Sequence, residues 1–228
     1  MGQGPKVGPA GLWPTTVAEA RKVQDRLAKK VRLTRSLKAP RFIAAVDAAF
    51  SRTEVFAAAC LFSYPGLEPV EEKSAIATLR FPYIPGFLSF REGAELVEAV
   101  RRLSRKPDLI LVDGQGIAHP RGIGIASHLG VVLDVPTIGC AKSRLVGEGP
   151  QPGGRAGNWT LLRHRGKVVC AAVRTRDGVK PLFVSPGHRI GLARSIGIVL
   201  ACTRGFRIPE PLRRADALSK ELRRARRA

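Results

Sequence analysis

Two aspartates stand where apolar strands would deliver them. Phe42-Ile43-Ala44-Ala45-Val46 runs into Asp47, and Leu109-Ile110-Leu111-Val112 runs into Asp113. A carboxylate inside or at the tip of a buried strand is costly unless something neutralises it. Adjacent central strands would bring the two acids within a few ångströms, where like charges need a shared cation or a proton on one of them. Hard divalent cations with oxygen ligands, above all Mg²⁺, suit this pair. Glu92 has two readings. In Ser89-Phe90-Arg91-Glu92 it fits the third position of a capping box, reaching back to the Ser89 backbone. The same helix end would also favour an anionic side chain facing a bound cation or water. Lys142 and Arg144, just after a strand ending at Cys140, either hold a phosphate near the metal or are solvated surface.

Three loops carry further candidates. Phe81-Pro82-Tyr83-Ile84-Pro85-Gly86 is stiffened by two prolines, and its aromatic and apolar tips suit a wedge between bases or a hydrophobic corner. Asp113 opens Gly114-Gln115-Gly116-Ile117-Ala118-His119-Pro120-Arg121. A dinucleotide fingerprint fails there, because His119 stands at the third glycine position and no helix starts at once. These glycines, with Gly122 and Gly124, instead let backbone approach a planar ligand. In Ser185-Pro186-Gly187-His188, His188 orients water or phosphate, or caps a last helix, the cap being the simpler role.

Positioning these groups requires an α/β sheet. A capping box at Thr16-Val17-Ala18-Glu19 starts a helix with Val23, Leu27 and Val31 as its apolar stripe. Residues 42–47, 54–62 and 70–79 predict an antiparallel meander. A helix from Ser89 buries Leu96, Val97, Val100 and Leu103. The fully apolar strand at 109–113, a helix through Ile125, Leu129 and Val132, and a strand at 136–140 follow. Residues 147–157 read as a loop, and 159–162 with 168–173 as a hairpin around Arg165-Gly166. A last helix is expected from near His188 to Cys202, then a tail from Pro211 that forms a short basic helix or stays loose. Three antiparallel strands followed by strand-helix-strand units is the order of ribonuclease H-like nucleases.

The 228 residues carry a formal net charge of +21, with Lys and Arg crowded at 21–41 and 204–227. Basic ends around a mixed centre fit a polyanionic partner, nucleic acid before membrane phosphates. Aromatic residues make up only 6%, against a stacking platform as the main binding mode. No apolar run approaches a bilayer span, and Met1–Trp13 lacks the apolar stretch of a secretory signal, so a cytoplasmic protein is expected. Cys60, Cys140, Cys170 and Cys202 form no C-x-x-C pair and read as reduced, mostly buried thiols.

Taken in order, these pieces resemble the endonuclease V family. The matching stretches are Ala45-Val46-Asp47, Phe81 to Glu92, Asp108 to Arg121, Gly124 to Gly130, Asp134 to Lys142, Ser185 to His188 and Arg207 to Asp216. The resemblance implies a single ribonuclease H-like domain over 15–222, with 1–14 as a flexible leader and 223–228 as a basic tail. It implies Mg²⁺-dependent cleavage, with Mn²⁺ as a substitute, at the second phosphodiester 3′ to hypoxanthine, leaving 3′-hydroxyl and 5′-phosphate ends. Asp47 and Asp113 match the metal ligands and Glu92 the third catalytic carboxylate, with Lys142 beside them. Pro82, Tyr83, Ile84 and Pro85 match the wedge. Gly86, Leu88, Gly116, Gly124, Ile125 and Leu145 match the lesion pocket, and His119, Arg121, His128 and His188 are candidate supporting residues. The implied partner is DNA with deaminated bases, or inosine-containing RNA, bound by a monomer. Gln115 replaces a frequent His, and Ser143-Arg144 a frequent second Lys. A non-catalytic binding protein and a nuclease for junctions or hybrids are the rivals.

Overall fold

The computed structural model describes residues 11–34 and 38–226. Helix α1 (Val17–Ala28) is capped as expected, Thr16 Oγ1 accepting from the Glu19 amide at 3.4 Å. The meander is β1 (Phe42–Phe50), β2 (Glu54–Ser63) and β3 (Pro69–Thr78). Next come α2 (Leu88–Arg101), β4 (Leu109–Val112), α3 (Ile125–Leu133) and β5 (Thr137–Ala141). The chain finishes with β6 (Trp159–His164), β7 (Lys167–Val173), β8 (Leu182–His188), α4 (Leu192–Ala201) and α5 (Glu210–Ala225). All eight strands join one sheet in the order β3-β2-β1-β4-β5-β8-β7-β6. β1, β4 and β5 run parallel at its centre, and the other pairings are antiparallel. This is the mixed, ribonuclease H-like α/β sheet expected of the sequence.

Alternation along the strands separates two cores. Ile43, Ala45, Leu109 and Leu111 face α4 and α5, whereas Ala44, Val46, Ile110 and Val112 face α2 and α3. Asp47 and Asp113 continue the first series and therefore point to the α5 side. That side is closed by an element the sequence left open: α5 is a 16-residue helix, not a loose tail, burying Leu212, Ala215 and Ser219 against the sheet. Its row of arginines hides the stripe in composition, although the apolar spacing is helical. Residues 223–225 of the expected tail are its last turn.

Three expectations are corrected. Residues 182–188 form a strand instead of leading into the helix expected from near His188, and that helix, α4, begins only at Leu192 behind Gly191. Pro186 and Gly187 disguise the strand, and a shift in register at Thr137/Ile138 lets β5 accommodate them. His188 therefore caps no helix: its Nδ1 accepts from the Arg32 amide at 3.2 Å, and its Nε2 lies 3.6 Å from Asp134. Finally Trp13, within the stretch read as a flexible leader, stacks on His128 with ring centroids 4.6 Å apart. The four cysteines are free and buried, as expected. Among the described residues no helix is long and apolar enough to cross a membrane.

Candidate active site

Parallel register makes the acid pair. Val46 is aligned with Val112, and the Asp113 amide donates to the Val46 carbonyl at 3.4 Å, so Asp47 and Asp113 follow side by side on neighbouring strands. Strand spacing alone sets their backbones about 5 Å apart. Burial and the nearby Asp113 charge push the Asp47 carboxyl up from 3.8 to about 7, against the Ala48 amide that donates to its Oδ1 at 2.8 Å.

Glu92 completes the cluster by a different route from the one its capping pattern suggests. Gly86, with φ +82°, turns the chain so that α2 starts at Leu88 behind Phe87, without a side-chain cap. Ser89 thus lies inside the helix and Glu92 in its second turn, only 5% exposed. The capping box does not form, which removes the structural reading of Glu92. Burial, then Asp47 and Asp113, hold its carboxyl well above the ordinary range. An acid whose charge is disfavoured by burial and by two neighbouring acids is the signature of a site that lacks positive charge.

Two groups supply part of that charge. Lys142 Nζ donates to Asp113 Oδ2, and although partial desolvation works the other way, the Asp113 charge raises the ammonium above its ordinary range. Arg207 donates through Nη2 to the Lys142 carbonyl at 2.5 Å and fixes the loop carrying that lysine. On α5 stands a fourth acid, Asp216, which the sequence reading named only as part of a motif. Burial works to raise it, but Lys220 at 2.6 Å and a hydrogen bond from Asp47 hold it below the usual range. Its signal was an Asp on the apolar-spaced face that contains Leu212 and Ala215, legible only once the helix is known. Among the described residues no three His, Cys, Asp or Glu side chains are drawn together as a ligand cage. The donor chemistry nonetheless fits a hard divalent cation: Asp47 and Asp113 lie side by side, Glu92 and Asp216 each interact with Asp47, and burial drives Asp47 and Glu92 towards protonation.

Beside the acids opens a cavity of about 320 Å³. Tyr83, Ile84, Pro85, Gly86 and Leu88 form one wall, and Asp113, Lys142 and Leu145 another, with Gly124 and Ile125 also lining it. Tyr83 is 69% exposed at the tip of the Pro82–Pro85 turn. Gly116 is the exception among the expected pocket residues. It does not line the cavity: its amide donates to Ser185 Oγ at 2.7 Å, and a Cβ there would overlap the Pro186 carbonyl. Its glycine serves packing of backbone on backbone.

A closed ring of hydrogen bonds holds the wedge wall. The Gly86 carbonyl accepts from Gln24 Nε2 at 2.7 Å and meets His119 Nε2 at 2.9 Å. His119 Nδ1 accepts from the Arg121 amide at 3.2 Å, which places the ring proton on Nε2. Arg121 Nη1 then reaches Gln24 Oε1 at 3.4 Å. Gln24, 1% exposed on α1, is a residue the sequence reading missed, being one polar position on a helix rich in them. His119 lines the cavity and Arg121 backs it. His128 takes no part in the site: it is buried between Trp13 and Phe90, and burial pushes it down to about 3. His188 also lies outside it. The two departures from the family pattern touch each other, Gln115 Nε2 donating to the Ser143 carbonyl at 2.9 Å.

A family model described as Endonuclease V matches residues 25–217. A protein named endonuclease V from Geotalea uraniireducens is 52% identical over 206 residues, covering 90% of this chain and 88% of its own. The crystal structure of endonuclease V from Streptomyces avermitilis superposes with a TM-score of 0.90 at 42% identity, covering 97% of this chain and 98% of that one. That of Ciona intestinalis, in complex with a 24mer DNA containing an inosine followed by a ribo-adenosine, has a TM-score of 0.80 at 31% identity. It covers 92% of this chain and 98% of its own.

Proposed function

The chain belongs to the endonuclease V family, and from that premise we propose that it cuts nucleic acid at the second phosphodiester 3′ to a deaminated purine, chiefly hypoxanthine. The observation that carries this reading is adjacency: a cavity large enough for a purine, with a stiff aromatic wall, is lined by Asp113 of the carboxylate pair and by the Lys142 bonded to it. A base drawn into the cavity leaves its own strand passing over the acids.

Asp47 and Asp113 would hold Mg²⁺, or Mn²⁺ in its place, with Asp216 and Glu92 next to it. Bound there, the ion supplies charge neutralisation at the scissile phosphate and the departing 3′ oxygen. Glu92 orients the attacking water. Lys142 offsets charge on the phosphate oxygens and keeps Asp113 in place. Water adds to phosphorus, the P–O3′ bond breaks and O3′ takes up a proton, giving 3′-hydroxyl and 5′-phosphate ends. Pro82, Tyr83, Ile84 and Pro85 fill the gap in the stack, which offsets part of the few kcal/mol that base flipping costs. Gly86, Leu88, Gly124, Ile125 and Leu145 enclose the flipped base, and the Gln24–His119–Arg121 ring keeps the Gly86 backbone fixed against it.

The test is an incubation with Mg²⁺ of matched DNA and RNA carrying one inosine, an undamaged control and an RNA–DNA hybrid. Cleavage confined to inosine substrates and lost in Asp47→Ala is expected. Binding without cleavage, or equal cutting of the hybrid, refutes the reading.

A further inference from the structure

The lesion cavity lies in a row of three concavities. It shares Asp113 and Lys142 with a second one of about 260 Å³, which is lined by Leu212, Arg213 and Asp216 of α5. It shares Leu145 with a third, of about 410 Å³, lined by Arg144, Arg163, His164 and Arg165. The second and third have no lining residue in common. The base cavity therefore sits between the carboxylates and the arginines.

The third concavity is built for anions. Arg144, Arg163 and Arg165 are exposed, and among the described residues none of them forms an ion pair. Glu148 is the single acid in the lining, leaving the charge positive. The scaffold is firm: the Glu148 and Arg163 backbones bond reciprocally at 2.8 Å, and the β6–β7 turn through Arg165, φ +50°, and Gly166 sets the last arginine. Arg163 Nη1 donates to the Gly166 carbonyl at 3.2 Å, but among the described residues no carboxylate neutralises these three guanidinium groups, and on a concave surface they match the spaced phosphates of a polynucleotide backbone.

We propose that this concavity grips the phosphates on the 5′ side of the flipped base. Polarity follows from the order of the row and from the cleavage position proposed above, on which it rests. With the cut 3′ to the lesion, the strand passes from the base cavity towards the carboxylates in the 3′ direction. What leaves the base cavity past Leu145 is then the 5′ segment. Arg144, part of the Ser143-Arg144 departure from the family resemblance, belongs to this grip and not to the chemistry.

The experiment measures binding of single-stranded inosine oligonucleotides in an Asp47→Asn background, with and without Arg144→Gln, Arg163→Gln and Arg165→Gln combined. Three lost phosphate contacts lower the log–log salt slope by about 2 and weaken binding at 0.1 M salt by on the order of 100-fold. An oligonucleotide trimmed to one nucleotide 5′ of the inosine should lose most of this difference, whereas trimming on the 3′ side should preserve it. An unchanged slope, or a loss that survives 5′ trimming, overturns the proposal. Cleavage by the protein with Asp47 intact is measured in parallel. If it cuts inosine substrates and the trimming pattern fails, only the 5′ grip falls; if it does not cut them, the polarity falls with the parent reading.

Discussion

Asp47→Asn should make the metal-free protein more stable while abolishing its activity. Moving the Asp47 carboxyl from 3.8 to about 7 corresponds to about 4 kcal/mol at about 1.4 kcal/mol per pH unit. Ionisation of this group thus works against the folded state. The stability it leaves intact is fully present below about pH 4 and is lost as pH rises through about 7. Asparagine keeps an oxygen for the Ala48 amide and carries no charge, so variant and parent should coincide near pH 4 and diverge towards pH 8. If only half of the 4 kcal/mol is recovered, Tm rises by about 4–8 °C for a chain of this size. The assay is thermal unfolding by circular dichroism in a chelator, from pH 4 to 8.5, repeated with millimolar Mg²⁺. Mg²⁺ should raise the parent most at high pH and the variant little. A Tm difference that is absent, negative or constant across this range refutes the claim that the carboxylates strain one another.

Gln24→Met keeps volume but opens the ring that holds the Gly86 carbonyl. A stability cost of about 1–2 kcal/mol is expected, and steady-state kinetics should show a larger fall in kcat/KM on inosine than on an undamaged strand. Tyr83→Ala removes an exposed side chain, so unfolding should shift by no more than about 0.5 kcal/mol; cleavage of inosine in paired duplex should fall more than cleavage in single strands. Gly116→Ala forces a methyl group into the Pro186 carbonyl. Denaturant titration should show a loss of about 3 kcal/mol or more, whereas Gly122→Ala, with open space around it, should lose only about 1 kcal/mol from its positive φ.

Much of the central sheet was legible because a short apolar run bounded by turn residues is a local signal. β1, β2, β4 and the β6–β7 hairpin carry their burial in their own composition. β8 was not, since Pro186 and Gly187 weigh against a strand unless a neighbour with shifted register accepts them. For α5 the sequence leaves a short basic helix and a loose tail both open, because exposed arginines outnumber the few residues that pack. Glu92 shows the limit most clearly: Ser89 to Glu92 satisfies the capping pattern, yet the Gly86 turn starts the helix one residue before Ser89.

The residue order by itself determined which side chains could do chemistry: two strand-borne aspartates, a glutamate on the next helix, a lysine after the following strand and a proline-stiffened aromatic loop. Only the tertiary structure decided what joins them. Parallel register puts Asp47 beside Asp113, α5 folds back to add Asp216, and α1 sends Gln24 to the Gly86 carbonyl. The reason is physical: composition and periodicity report what a segment buries, whereas a carboxylate's partner is fixed by chain segments distant in sequence, whose approach is set by packing of the whole sheet.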